Sequence, residues 1–161
     1  MRSRIFTACI IGILSATTTT GFANPTKTND YHVIIEQFID SHSTANYKAF
    51  RDITDDNATV KMSHGEMVIV QPRADLLTQM KSDSPIKLNC DANYEVLAKS
   101  GALVIARVDF VHGKDMQHNY LTIEKNKDKE WKITQVCTFF EDINNPMPKE
   151  IAPKHNIIAK N

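Results

Sequence analysis

A chain of 161 residues with 42% hydrophobic side chains, 19 basic and 19 acidic groups and no formal net charge has the size of one domain with its own core. Its cationic runs are short and broken by acids, as between Lys125 and Glu130, which excludes a phosphate-neutralising surface, so no nucleic acid is expected as a partner.

Arg2 and Arg4 precede an apolar stretch from Ile5 to Leu14, and Gly21 and Ala23 supply the small residues that a signal peptidase reads. Residues 1–23 are therefore expected to be an export signal cleaved near Ala23, giving a periplasmic or secreted protein. The apolar stretch falls well short of the roughly 20 residues needed to span a bilayer, so no membrane attachment is expected after cleavage. The segment Phe6 to Cys9 has the outline of a lipoprotein box but lies ahead of the apolar stretch, which argues against lipidation. Processing removes two arginines and no acid, leaving a slight acidic excess.

Asn29 or Asp30 can cap a helix whose apolar residues Tyr31, Ile34, Ile35, Phe38 and Ile39 recur at helical spacing. A shorter helix over 46–52 buries Tyr47 and Phe50. Residues 58–62 and 66–70 read as a hairpin turning at His64-Gly65, where positive φ is easy for Gly and tolerable for His. Pro72 suits the first turn of a third helix with Leu76, Leu77 and Met80 facing inward. From Ile86 the period changes to two, through Leu88, Cys90, Ala92, Tyr94 and Val96. Further strands follow with Val104, Ala106, Val108 and Phe110, then with Leu121 and Ile123, then from Trp131. Pro146, Pro148 and Pro153 break both periods, so the domain is taken as 24–143 and residues 144–161 as an extended or disordered tail.

Helix, helix, hairpin, helix and four long antiparallel strands make an α+β architecture. On residues 35–39, 46–50, 102–108 and above all 120–125 with Trp131 and Ile133, the chain resembles the nuclear transport factor 2-like superfamily, within it the SnoaL-like and lumazine-binding groups. The resemblance covers roughly residues 30–141 and rests on core positions. It implies a cone-shaped, strongly curved, antiparallel-rich sheet with three helices on its concave face, a pocket under those helices, and homodimers packed through the outer sheet face. The superfamily hosts isomerases, cyclases, dehydratases, binding proteins and assembly adaptors, so the likeness carries architecture and not activity.

Strand parity selects the side chains that reach such a pocket. Pairing Val96 with Val104, Cys90 with Phe110, Val108 with Leu121 and Phe110 with Asn119 keeps apolar beside apolar. It sets Trp131, Ile133, Gln135, Cys137 and Phe139 on the same inner face. The candidate ligand-binding residues are Tyr94, Phe110, Asn119, Trp131, Gln135 and Cys137, with His42 reaching the mouth from the first helix. Tyr94 is weighed against a core tyrosine with a bonded hydroxyl, and Asn119 and Gln135 against amides that satisfy one another and nearby backbone. Asp91, Glu95, Asp109 and Glu124 have the outward parity, so the inward aspartate used by the steroid isomerases of the superfamily has no counterpart on this face.

The expected ligand is a small apolar or aromatic molecule that is bound rather than transformed; the alternative is a SnoaL-like isomerase, cyclase or dehydratase acting on a small hydrophobic substrate. No cofactor and no metal are expected. His112 and His118 flank a turn but lack a third ligand at a recognisable spacing, and are read as exposed turn histidines. Cys90 and Cys137 fall three strands apart, beyond the roughly 7 Å reach of a disulfide, and are expected to be separate thiols. Intact-mass analysis of the exported form should give a chain beginning at Asn24; retention of Met1 would overturn the export signal.

Overall fold

The computed structural model describes residues 30–64, 66–83, 88 and 90–144; the expected export signal and almost all of the expected tail lie outside them. Helix α1 (Tyr31–Ser43) starts at Asp30, whose carboxylate accepts the backbone N–H of His32 at 2.9 Å. It buries Ile34, Ile35 and Phe38 on one stripe. Its C-terminus is closed by the Asn46 N–H donating to the Ser41 carbonyl, with Ala45 at φ 49° in the left-handed position that Gly usually takes. Asn46 then caps α2 (Tyr47–Ile53) through Ala49, which buries Phe50 and Ile53.

Strands β1 (Thr54–His64) and β2 (Met67–Pro72) form the hairpin, but His64 pairs with Met67 inside the ladder, so the loop lies one residue later than the His64-Gly65 expectation. Gly65 itself lies outside the described residues. Helix α3 (Arg73–Asp83) packs Leu76, Leu77 and Met80 against the core. The remaining strands are β3 (Asp91–Lys99), β4 (Leu103–His112), β5 (Asp115–Lys125) and β6 (Trp131–Asp142). They complete a six-stranded sheet of order β2-β1-β6-β5-β4-β3, antiparallel except where β1 runs parallel to β6. Leu88 and Cys90 precede the first long strand and do not belong to it.

The inner face is the expected one for β3 to β5, because the registers differ from the expected pairs by an even number. Val108 faces Asn119, Phe110 faces Gln117 and Ala92 faces Phe110. The slip of two between β4 and β5 arises from their loop: His112 pairs with Asp115, so Gly113 and Lys114 alone make the turn, with Gly113 at φ 63°. In β6 the expectation fails. Ile123 pairs with Ile133 but Thr122 with Gln135, so Thr134 is an extra residue that reverses the parity beyond it. Val136 and Thr138 are consequently buried inside, while Gln135 and Cys137 stand on the outer face and Phe139 is exposed.

Phe110 marks where helix meets sheet, its ring 4.3 Å from that of His42 and 6.2 Å from that of Phe38. At the other end Tyr31 meets Trp131 edge-on at 5.8 Å. Val104, Ala106, Val108, Phe110, Leu121, Ile123 and Ile133 are wholly inaccessible, so the deep part of the cone is filled by the chain's own side chains. Truncating Phe110→Ala should cost about 3–5 kcal/mol in urea unfolding. Leu103→Ala, at a residue 40% exposed, should stay within about 0.5 kcal/mol.

Candidate functional site

With the deep cone filled, an apolar pocket opens among the helices beside it. A pocket of about 220 Å³ is lined there by His42, Ala45, Phe50, Leu76, Gln79, Met80 and Leu88, drawn from all three helices and their connections. Gln79 is already engaged through its carbonyl by Gln71 Nε2 at 3.3 Å. His42 is the other polar member. Its ring lies on Phe110 at an interplanar angle of 28°. Burial, then repulsion from His112, lower its pKa from 6.5 to about 4, and contact with the Gln117 side chain recovers only part of that loss. The imidazole is therefore neutral at pH 7.

Behind His42 a polar chain runs into the core. Gln117 Nε2 donates to Asn119 Oδ1 at 3.0 Å, Thr138 Oγ1 donates to the same oxygen at 2.9 Å, and Asn119 Nδ2 donates to the Val108 carbonyl at 3.4 Å. Gln117 also borders a second depression, of about 310 Å³, lined by His112, Asp115, Gln117, Phe140, Glu141 and Asp142. A further concavity, of about 450 Å³, is a charged surface cleft at the Thr54 end of β1. Its Arg73 is held by Thr54, Asp56 and the Arg51 carbonyl, each at 2.8 Å, and its Lys132 donates to the Asp52 carbonyl at 2.6 Å. These bonds tie the α2–β1 corner to α3 and to β6.

Of the residues anticipated to bind, His42 lines the pocket. Phe110 and Trp131 belong to the packed core. Asn119, 1% exposed, is satisfied internally. Tyr94 faces inward, and its hydroxyl lies 3.1 Å from His32 Nδ1. Gln135 and Cys137 leave the site because of the Thr134 bulge, and bond to each other outside it, Nε2 to Sγ at 3.2 Å. Phe50, Leu76 and Met80 line the pocket without a sequence signal because helical residues beside a pocket share the apolar period of core residues, and nothing in the pattern marks Ala45 or Gln79. Cys90 and Cys137 are both free, as their strand separation implied. Among the described residues no group of three His, Cys, Asp or Glu is arranged to hold a metal ion, and no helix is long and apolar enough to cross a membrane.

His118 is not an exposed turn histidine. It lies on the outer face, opposite in parity to His112, with Nδ1 2.7 Å from Asp109 and Nε2 2.9 Å from Glu141. Arg107 continues the network, with Nε 3.2 Å from Asp109 Oδ2 at a direction unsuited to a hydrogen bond, and a terminal nitrogen 3.3 Å from Glu95. Desolvation pulls the His118 pKa down, but the two carboxylates together outweigh it and leave the value raised.

The two histidines thus oppose each other in pH dependence. His42, with its folded pKa depressed, costs stability as pH falls from 6.5 towards about 4, on the order of 3 kcal/mol in full. His118, with its folded pKa raised, contributes stability that is complete below 6.5 and is lost as pH rises through the folded value. In urea midpoints measured against pH, His42→Phe should flatten the acid-side decline between 6.5 and 4. His118→Gln should remove a loss on the neutral-to-alkaline side. An unchanged acid-side profile in His42→Phe would contradict the burial of a neutral ring.

No protein-family model and no curated protein matches the chain. Solved structures match its fold. A nuclear transport factor 2-like protein from Methylobacillus flagellatus aligns with a TM-score of 0.59 at 16% identity, over 68% of this chain and 88% of its own. Another from Shewanella baltica gives 0.56 at 16%, over 73% and 98%. A ketosteroid isomerase-like protein from Erwinia carotovora gives 0.52 at 13%, over 68% and 92%. The chain thus has the nuclear transport factor 2-like fold, an α+β arrangement of three helices on a curved, mostly antiparallel sheet.

Proposed function

We propose that this protein is an exported, homodimeric binding protein that holds a small apolar or aromatic molecule at the mouth of its cone, under α3, without proton-transfer chemistry. The observation that carries this reading is the composition of the mouth pocket. Its lining is apolar except for a neutral imidazole and an amide that is already engaged, and no carboxylate lines it. General acid–base catalysis requires an ionisable group poised near the working pH within reach of the substrate, and this pocket offers none.

Size narrows the ligand. A dry cavity of about 150 Å³ accepts benzene, and drug-sized ligands occupy roughly 300–1,000 Å³. At about 220 Å³ the pocket suits a molecule of one or two rings and is too small to enclose a steroid. Dimerisation through the outer sheet face draws support from its composition. Ile105, Val111, Tyr120 and Phe139 have the outward parity beside the Arg107–Asp109–His118 network, and Tyr120 and Phe139 already meet edge-on at 5.7 Å.

A second reading, an isomerase, cyclase or dehydratase, is favoured by the neighbouring depression, where His112 lies beside Asp115, Glu141 and Asp142. In that reading the substrate would lie across both spaces, and Asp115→Asn would abolish turnover while leaving binding in the apolar pocket intact.

Native mass spectrometry of the mature protein from its own host, followed by denaturation, is expected to release a stoichiometric small molecule from a dimer. Met80→Trp, which fills the pocket, should fold normally and carry none. Retention of the molecule by Met80→Trp would move the site elsewhere, and a dimer that is always empty would favour the enzymatic reading.

A further inference from the structure

On the outer face of the sheet one side chain is gripped from two sides. His118 sits on β5, with Asp109 directly opposite on β4 and Glu141 diagonally across on β6, two residues beyond its direct partner Phe139. Its Nδ1 lies 2.7 Å from Asp109 Oδ1 and its Nε2 2.9 Å from Glu141 Oε2. An ionised carboxylate offers only acceptors, so both ring nitrogens must donate, and only the doubly protonated imidazolium has two N–H groups. A proton shared between an imidazole and a carboxylate goes to the ring, whose reference pKa is about 6.5 against about 4 for the acids. Arg107, 3.2 Å from Asp109 and 3.3 Å from Glu95, extends the row of charges to β3, which sets three carboxylates around the ring against one guanidinium. The titratable Tyr120 and Cys137 are its other neighbours on this face. The raised pKa of His118 agrees with that balance.

Removing one proton leaves a single N–H for two acceptors. Asp109 is 8% exposed, and its neighbour Arg107 Nε makes no hydrogen bond, so without the His118 N–H it would be a buried carboxylate short of donors. Glu141 is 23% exposed and stands one residue from the end of its strand, where water can replace its partner. The remaining proton therefore stays on Nδ1. The Nε2 lone pair is then left facing the Glu141 carboxylate, two acceptors in contact.

The end of β6 is where such a tie matters. The ladder runs on to Asp142, and the Ile143 N–H donates to the Lys114 carbonyl at 2.9 Å, but the last pair sets Asp142 directly opposite Asp115. Like charges facing each other across strands are destabilising. Phe140, opposite Gln117, is 49% exposed. With Glu141 and Asp142 it forms the β6 wall of the depression of about 310 Å³, whose other wall is His112, Asp115 and Gln117. We propose that His118 is a pH-operated clasp on the end of β6: doubly protonated, it ties Glu141 to the sheet, and on losing one proton it frees Glu141, so that residues 139–142 part from β5 and the depression opens. The clasp stands independently of what the mouth pocket holds.

Uniformly 15N-labelled protein, followed by NMR from about pH 6 to about pH 9, tests this. At the acid end both ring nitrogens of His118 should be protonated. As the ring titrates, the hydrogen-exchange protection of residues 139–142, corrected for the intrinsic rate, should fall about tenfold, the worth of one hydrogen bond to a charged group, while the β1–β2 hairpin keeps its own. Glu141→Gln should abolish that step. Asp142→Asn, which relieves the like-charge pair, should raise the protection and keep the step. An unprotonated ring nitrogen at the acid end, protection that ignores the His118 titration, or a step that survives in Glu141→Gln would overturn the clasp. So would an equal fall in the hairpin, which would make His118 a stabiliser of the whole sheet.

Discussion

Between Ile133 and Gln135 the β6 strand carries one residue more than β5 spans, and the face that every later β6 residue takes depends on that insertion. On the near side of Thr134, Trp131 and Ile133 point into the core; on the far side Val136 and Thr138 do. Without the bulge, Gln135, Cys137 and Phe139 would have to be buried opposite Asn119 and Gln117, and an amide without a partner there costs roughly 1–3 kcal/mol. With it, Thr138 supplies a hydroxyl where Asn119 needs a donor. Beyond the bulge Gln135 and Cys137 lie beside Thr59 and Lys61 of β1, which runs parallel to β6.

Most of this architecture was legible because it rests on periodicities that cannot be satisfied in two ways. Tyr31, Ile34, Ile35 and Phe38 make one stripe only on a helix, and Val104, Ala106, Val108 and Phe110 share a face only on a strand. A register wrong by two residues, as between β4 and β5, leaves every side chain on its proper face, so the inner residues of three strands were identified despite the slip. A bulge has no such protection. Thr134 sits between Ile133 and Gln135 without a glycine or any break in β propensity to mark it, so the parity carried through the strand and placed two candidate residues on the wrong face.

The same slip hid the outer network. Asp109 and His118 are direct partners, but pairing Phe110 with Asn119 instead of Gln117 moves His118 away from Asp109 and opposite Val111. Glu141 comes within reach of His118 only after the bulge has set the far half of β6. Long-range charge clusters on a sheet are therefore legible to the accuracy of the loops that join its strands, here a two-residue turn at Gly113-Lys114 that leaves no slack. The mouth pocket was harder still, because it is bounded by packing rather than by pattern. Leu76 and Met80 have the same spacing whether they close over a core or over a cavity.

His42 shows how the filled interior shapes what the fold can do. Large aromatic residues at both ends of the cone, Trp131 with Tyr31 and Phe110 with Phe38, occupy the volume that a deep pocket would need. What remains is shallow, apolar and bordered by one imidazole whose proton affinity burial has reduced to about 4. A group that weakly basic is a poor acceptor of a whole proton near neutral pH, since efficient general bases have pKa values close to the working pH. It remains a good acceptor of a hydrogen bond, because that interaction needs a lone pair and a dry surrounding rather than a matched pKa. The burial that denies His42 a part in proton transfer near neutral pH leaves it a neutral ring at the edge of an otherwise apolar pocket.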